Sequence, residues 1–140
     1  MLDLLGKPSH AQCAGQSRAE LIHGGSTSPG FVFCEWSPGG HSRLDRKTSL
    51  ASAEDINRCI HESTRAVISP DGWKLCLRDF DKNELYNLRE DPDERQNLFY
   101  RDDHRETIAS LANVIYDWQE RTGDMLHSIR STSHLPHRTG

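Results

Sequence analysis

Three short runs between Thr64 and Leu88 restrict the fold more than any other feature of the chain. They read T-R-A-V-I-S from Thr64, W-K-L-C-L-R from Trp73 and E-L-Y-N-L from Glu84, each of strand length and joined by only a few residues. Connections this short cannot make the crossover that parallel neighbours need, so the spacing predicts an antiparallel meander. Pro70-Asp71-Gly72 is a turn with a physical cause, because proline presets φ and glycine accepts positive φ. Trp73, Leu75 and Leu77 alternate onto one face of the middle strand. Lys74, Cys76 and Arg78 fall on the other, which is expected to be polar or to meet another domain.

Phe31–Trp36, rich in aromatic and β-branched residues, adds a fourth strand. Ile108, Leu111, Ile115 and Trp118 form one helical stripe that Gly123 ends. Asp103 is expected to cap that helix, with Glu106 as its capping-box partner. Asp91-Pro92-Asp93-Glu94 is expected to begin a shorter helical turn ending at Asn97-Leu98-Phe99. Ser52 is expected to cap a short helix through Asp55, with Ile56 and Ile60 on one face. The predicted fold class is therefore α+β: a small antiparallel sheet of about four strands packed against a long C-terminal helix.

The ends of the chain read differently. M-L-D-L-L at the start resembles the last turn of a helix, stopped by Gly6 and Pro8, whose beginning is expected to lie upstream. Residues 1–30 are read as that helix end plus a connecting loop with a helical turn near Ala19–Ile22. Residues 31–124 are read as the folded subdomain, and 125–140 as a mobile polar tail.

Chemistry is harder to find. The net charge of −4 with no basic cluster argues against nucleic acid, and no apolar run has membrane-spanning length. Cys13, Cys34, Cys59 and Cys76 form no C-x-x-C pair and no dense disulfide framework. Cys59-x-His61 has no second pair to complete a zinc site. The run Asp79 to Glu84 places acids or amides at calcium-loop spacing, but Glu84 stands where the sharp turn needs glycine. A hairpin turn accounts for the same residues. No G-x-S-x-G elbow or phosphate loop is present. Trp36, Trp73 and Trp118 are read as core.

The stretch R-A-V-I-S-P-D-G-W-K-L-C-L, followed by E-L-Y-N-L-R-E-D-P-D-E-R-Q-N-L, resembles the C-terminal subdomain of formylglycine-dependent sulfatases of the alkaline-phosphatase superfamily. The family pattern E-L-Y-D-L-x-x-D-P-x-E-x-x-N-L is matched at Glu84, Leu85, Tyr86, Leu88, Asp91, Pro92, Glu94, Asn97 and Leu98, and departs at Asn87. W-x-x-x-T-G-D, here Trp118 to Asp124, fits as well, and a Q-G-R-S-type motif is reduced to Gln16-Ser17-Arg18. The resemblance covers about residues 1–124. It implies structural work for these residues, with Asn97 bonding to backbone.

The resemblance also implies what to look for and not find. The family's nucleophile is made from Cys or Ser in C/S-x-P-x-R, and no Cys or Ser here begins that motif. The carboxylates that hold the family's calcium belong to the N-terminal catalytic domain, which would precede Met1. The expectation is a structural subdomain with no catalytic, cofactor or metal residue of its own and no sulfuric ester hydrolysis alone. Its implied partner is that catalytic domain, with calcium and formylglycine supplied there. His41 and Arg43, in the polar 37–49 loop, are the candidates for a substrate-pocket rim. The competing expectation is an independent protein-interaction module derived from the same subdomain.

Overall fold

The computed structural model describes residues 2–8, 10–11, 13, 17–26, 29–38 and 47–124. His41, Arg43 and the 125–140 tail lie outside them. By internal contacts the chain divides into two units, Met1–Gly30 and Phe31–Gly140. The first holds a 3₁₀ turn at Asp3–Leu5 and the helix α1, Ala19–Ile22. Gly6, at φ +63°, takes the left-handed position that ends the turn.

The second unit is built on four antiparallel strands in sequence order: β1 Val32–Trp36, β2 Thr64–Ile68, β3 Trp73–Arg78 and β4 Glu84–Asn87. Register aligns Phe33 with Val67, Val67 with Leu75 and Leu75 with Leu85, so one apolar row crosses the whole sheet. The helix α3, Arg105–Thr122, lays Ile108, Leu111, Ala112 and Ile115 over that row. Phe33 stacks on Trp118, with ring centroids 5.2 Å apart and planes 9° off parallel. Val67, Leu75, Leu77, Leu85 and Ile115 are fully buried, each worth about 1.5–3 kcal/mol of transfer free energy.

Local chemistry explains most of the boundaries. At the β2–β3 hairpin, Gly72 has φ +93° and a Cβ there would meet the Arg89 side chain at 2.9 Å. The Ser69 hydroxyl accepts the Trp73 N–H at 3.0 Å and closes the turn. Ser52 caps the helix α2, Ala53–His61, by accepting the Asp55 N–H at 3.1 Å. That helix runs to His61, far enough to hold Ile56 and Ile60 together on one face.

Three expectations are corrected. Residues 91–98 form a turn, not a helix. Glu94 sits at φ +53°, which a helix cannot accommodate. The long helix lacks the Asp103–Glu106 capping box: a 3₁₀ turn at Asp102–His104 leads into it, and Asp103 pairs with Arg101 instead. Trp36 is not core; it is 56% exposed on β1.

Candidate functional site

The best-built polar constellation ties the sheet to the end of α3. Arg65 lies in β2, opposite Glu35 on β1 and Leu77 on β3, and is 2% exposed. Its Nε donates to Asp124 Oδ2 at 2.5 Å and its Nη2 to Asp124 Oδ1 at 3.0 Å. Nη1 donates to the carbonyls of Trp36 and Thr64, and Nη2 also to Ser37 Oγ, each at 2.9 Å. All five guanidinium donors are thus satisfied. Asp124 reaches Arg65 because Gly123, at φ +73°, ends α3 in a left-handed turn and sends the chain back. Gln119, fully buried, donates to Asp124 Oδ2 at 3.1 Å and holds the carboxylate in place.

A second constellation seals the outer edge of β4. Asn97 Oδ1 accepts the N–H groups of Leu85 at 3.1 Å and Phe99 at 2.9 Å, and its amide donates to the Asn83 carbonyl at 3.0 Å. The Leu98 N–H adds a strand-like bond to the Leu85 carbonyl at 2.8 Å. Asp91 folds the turn before it, accepting the N–H of Arg95 at 3.0 Å and of Gln96 at 2.8 Å. These two backbone bonds hold the Asp91 carboxyl below the ordinary aspartate pKa. Glu94 closes the turn onto the sheet through Lys74 Nζ, at 2.8 and 2.7 Å. Asn97 therefore bonds to backbone as expected, at Phe99 just beyond the turn and also at Asn83 and Leu85 along the β4 edge.

The sheet face away from α3 divides in two. Toward β3 and β4, Lys74 pairs with Glu94 and Arg78 with Glu84, while Cys76 and Tyr86 are buried. Toward β1 the same face is apolar and open: Val32 is 53% and Trp36 56% exposed, with Cys34 exposed between them. Burial pushes the Cys76 thiol up to about 11, so it is a poor nucleophile. Alkylation at pH 8 is expected to label Cys13, Cys34 and Cys59 and to spare Cys76 in the folded chain. Peptide mass mapping checks this, and rapid labelling of Cys76 would contradict its burial.

The acids near Arg78 do not fit a calcium site. Glu62, Asp81 and Glu84 surround the Arg78 guanidinium, at 3.9, 3.8 and 3.4 Å. Asp79 accepts the Ser63 N–H and Asn83 accepts the Arg78 N–H, both at 2.8 Å. Their oxygens thus brace a hairpin turn around a cation that the chain itself supplies. Among the described residues no group of three or more His, Cys, Asp or Glu is arranged to hold a metal, and no helix is long and apolar enough to cross a membrane.

No family model and no curated protein matches the sequence. Solved structures do. A Bacteroides thetaiotaomicron protein assigned to the sulfatases superposes with a TM-score of 0.64 at 24% identity, over 88% of this chain and 23% of that one. The fold is that of a sulfatase segment. A structure described as a 2-O GAG sulfatase gives the same values. A third neighbour, solved with its substrate D-glucosamine-2-N,6-O-disulfate, matches with a TM-score of 0.63 at 18% identity, over 91% of this chain and 24% of its own. The chain spans about a quarter of the length of these three proteins.

Arg65, Asp124 and Gln119 were not singled out as a group by sequence reasoning, although each left a trace. Arg65 is a charge inside an apolar strand, and Gln119 continues the Ile108–Ile115 stripe at the next i+4 position. A polar residue on a buried stripe calls for a buried partner.

Proposed function

We propose that this chain is the C-terminal structural subdomain of a sulfatase, which buttresses a catalytic domain and does not hydrolyse sulfate esters alone. The observation that carries the proposal is the fold shared with sulfatases over nearly the whole of this chain and under a quarter of theirs. Two further features support it. No Cys or Ser of the sequence begins the C/S-x-P-x-R motif from which a formylglycine is made. The open apolar end of the sheet face, at Val32 and Trp36, is of the kind that marks a contact with another domain. In this reading the nucleophile and the divalent cation belong to the catalytic domain, and the 37–49 loop with His41 and Arg43 stands at the substrate rim.

Two measurements test the proposal. The purified chain, assayed with a chromogenic aryl sulfate and calcium, should show no turnover above buffer; turnover would overturn the reading. A chimera in which this chain replaces the matching segment of the Bacteroides sulfatase should melt in one transition and keep sulfatase activity. Trp36→Glu in that chimera should separate the transition into two. Two independent transitions in the unsubstituted chimera would remove the buttressing role.

A further inference from the structure

A cleft of about 350 Å³ opens between the 3₁₀ turn that precedes α3, the β3–β4 end of the sheet and the 90–98 turn. Its wall is the half-buried ring of Trp73, propped by His104 with centroids 5.2 Å apart. Trp73 faces Asn87 across the β3–β4 ladder. Around the ring stand planar polar side chains, those of Asn87, Glu90, Gln96 and Arg101.

The hydrogen-bonding state of these groups decides what the cleft can take. Asp91 is engaged by two backbone N–H groups. Arg101 and Asp103 bind each other through a fork at 3.1 and 2.7 Å, which leaves Arg101 Nη1 over. Asn87 Oδ1 accepts the Arg89 N–H, so its amide N–H₂ remains as donor. Glu90 and Gln96 are exposed and make no side-chain hydrogen bond or ion pair among the described residues. The cleft thus offers one carboxylate acceptor, two amides and a guanidinium edge beside an aromatic ring. Three carboxylates, Glu90, Asp91 and Asp103, face the single guanidinium, so a sulfate or phosphate group is repelled.

We infer that this cleft binds an uncharged sugar unit. The aromatic ring takes the apolar C–H face of a pyranose, and planar amide and carboxylate groups match pairs of neighbouring hydroxyls as donors and acceptors. The volume is that of a small-ligand site. This inference is independent of the proposed sulfatase role, because it concerns a neutral ligand and is read without turnover.

The test is an NMR titration of the 140-residue chain with triacetylchitotriose and with maltotriose, against a sulfated glucosamine. Shifts are expected at the Trp73 indole N–H, assigned with Trp73→Phe, and at the Asn87 and Gln96 side-chain amides. They should saturate with a Kd on the order of 1 mM for at least one neutral sugar. The pair Glu90→Ala and Gln96→Ala, both at exposed positions, should raise that Kd at least about tenfold, a loss of about 1.4 kcal/mol, and leave the rest of the spectrum in place. No saturable shift from either neutral sugar, shifts confined to other surfaces, or tighter binding of the sulfated sugar would each overturn the inference.

Discussion

Asp124→Ala is expected to lower the unfolding free energy by about 3–5 kcal/mol, a large share of what holds a domain of this size together. The substitution leaves Arg65, 2% exposed, as a buried charge without its carboxylate. Two of its five donors lose their acceptors, and the Gln119 amide loses the Asp124 acceptor in the same step. The pair is bidentate and its side chains are 3% and 12% exposed, so the small value of a surface ion pair does not apply. Arg65→Met alone should be comparably harmful, because it leaves the Asp124 carboxylate without its countercharge. The double substitution Arg65→Met with Asp124→Leu should recover most of the loss, since apolar side chains of similar volume avoid the desolvation of both charges. Urea unfolding of the parent and the three variants measures these changes. A loss below about 1 kcal/mol for Asp124→Ala would mean that the pair behaves as a solvated one.

Asn97→Ala should cost about 2–4 kcal/mol, because it leaves the N–H groups of Leu85 and Phe99 and the carbonyl of Asn83 without partners near the core. Leu85 is fully buried in the edge strand and cannot turn its backbone to solvent without moving the core. Asn97→Asp keeps an acceptor for both N–H groups but has no donor for the Asn83 carbonyl. It should therefore lose less than the alanine variant. Hydrogen exchange gives a residue-level check: the Leu85 amide should exchange much faster in Asn97→Ala, at a rate set by local opening. Unchanged protection there would show that the Leu98–Leu85 bond alone seals the edge.

The sheet was legible because its signal is local. Alternation in Trp73, Leu75 and Leu77, a proline–glycine turn and short connections specify antiparallel neighbours without knowledge of the rest of the chain. The α3 stripe was legible for the same reason, at a period of 3.6 residues. The 91–98 segment was not. Asp91 followed by Pro92 carries every mark of a helix start, and the Asp91 carboxylate does accept N–H groups of the turn that follows. The helix is abandoned because Glu94 turns left-handed and Asn97 is bound to β4, twelve residues before it in sequence. A tertiary bond there outweighs a local preference worth only tenths of a kcal/mol per residue. Trp36 failed in the opposite way: its apolar setting predicted burial, but it stands on the sheet face that α3 does not cover.

Local patterning specifies the four strands, the antiparallel order of the three from Thr64 to Leu88, the α3 stripe and, through the motif from Glu84 to Leu98, the likeness to sulfatases; the place of β1 beside β2 came from the fold. Which polar residues meet is settled by tertiary packing. Arg65 and Asp124 lie 59 residues apart, and Lys74 and Glu94 lie 20 apart. No periodicity links such positions. Apolar patterning needs only a side chain's neighbours along its own element, whereas a buried charge is tolerated only where folding delivers its partner.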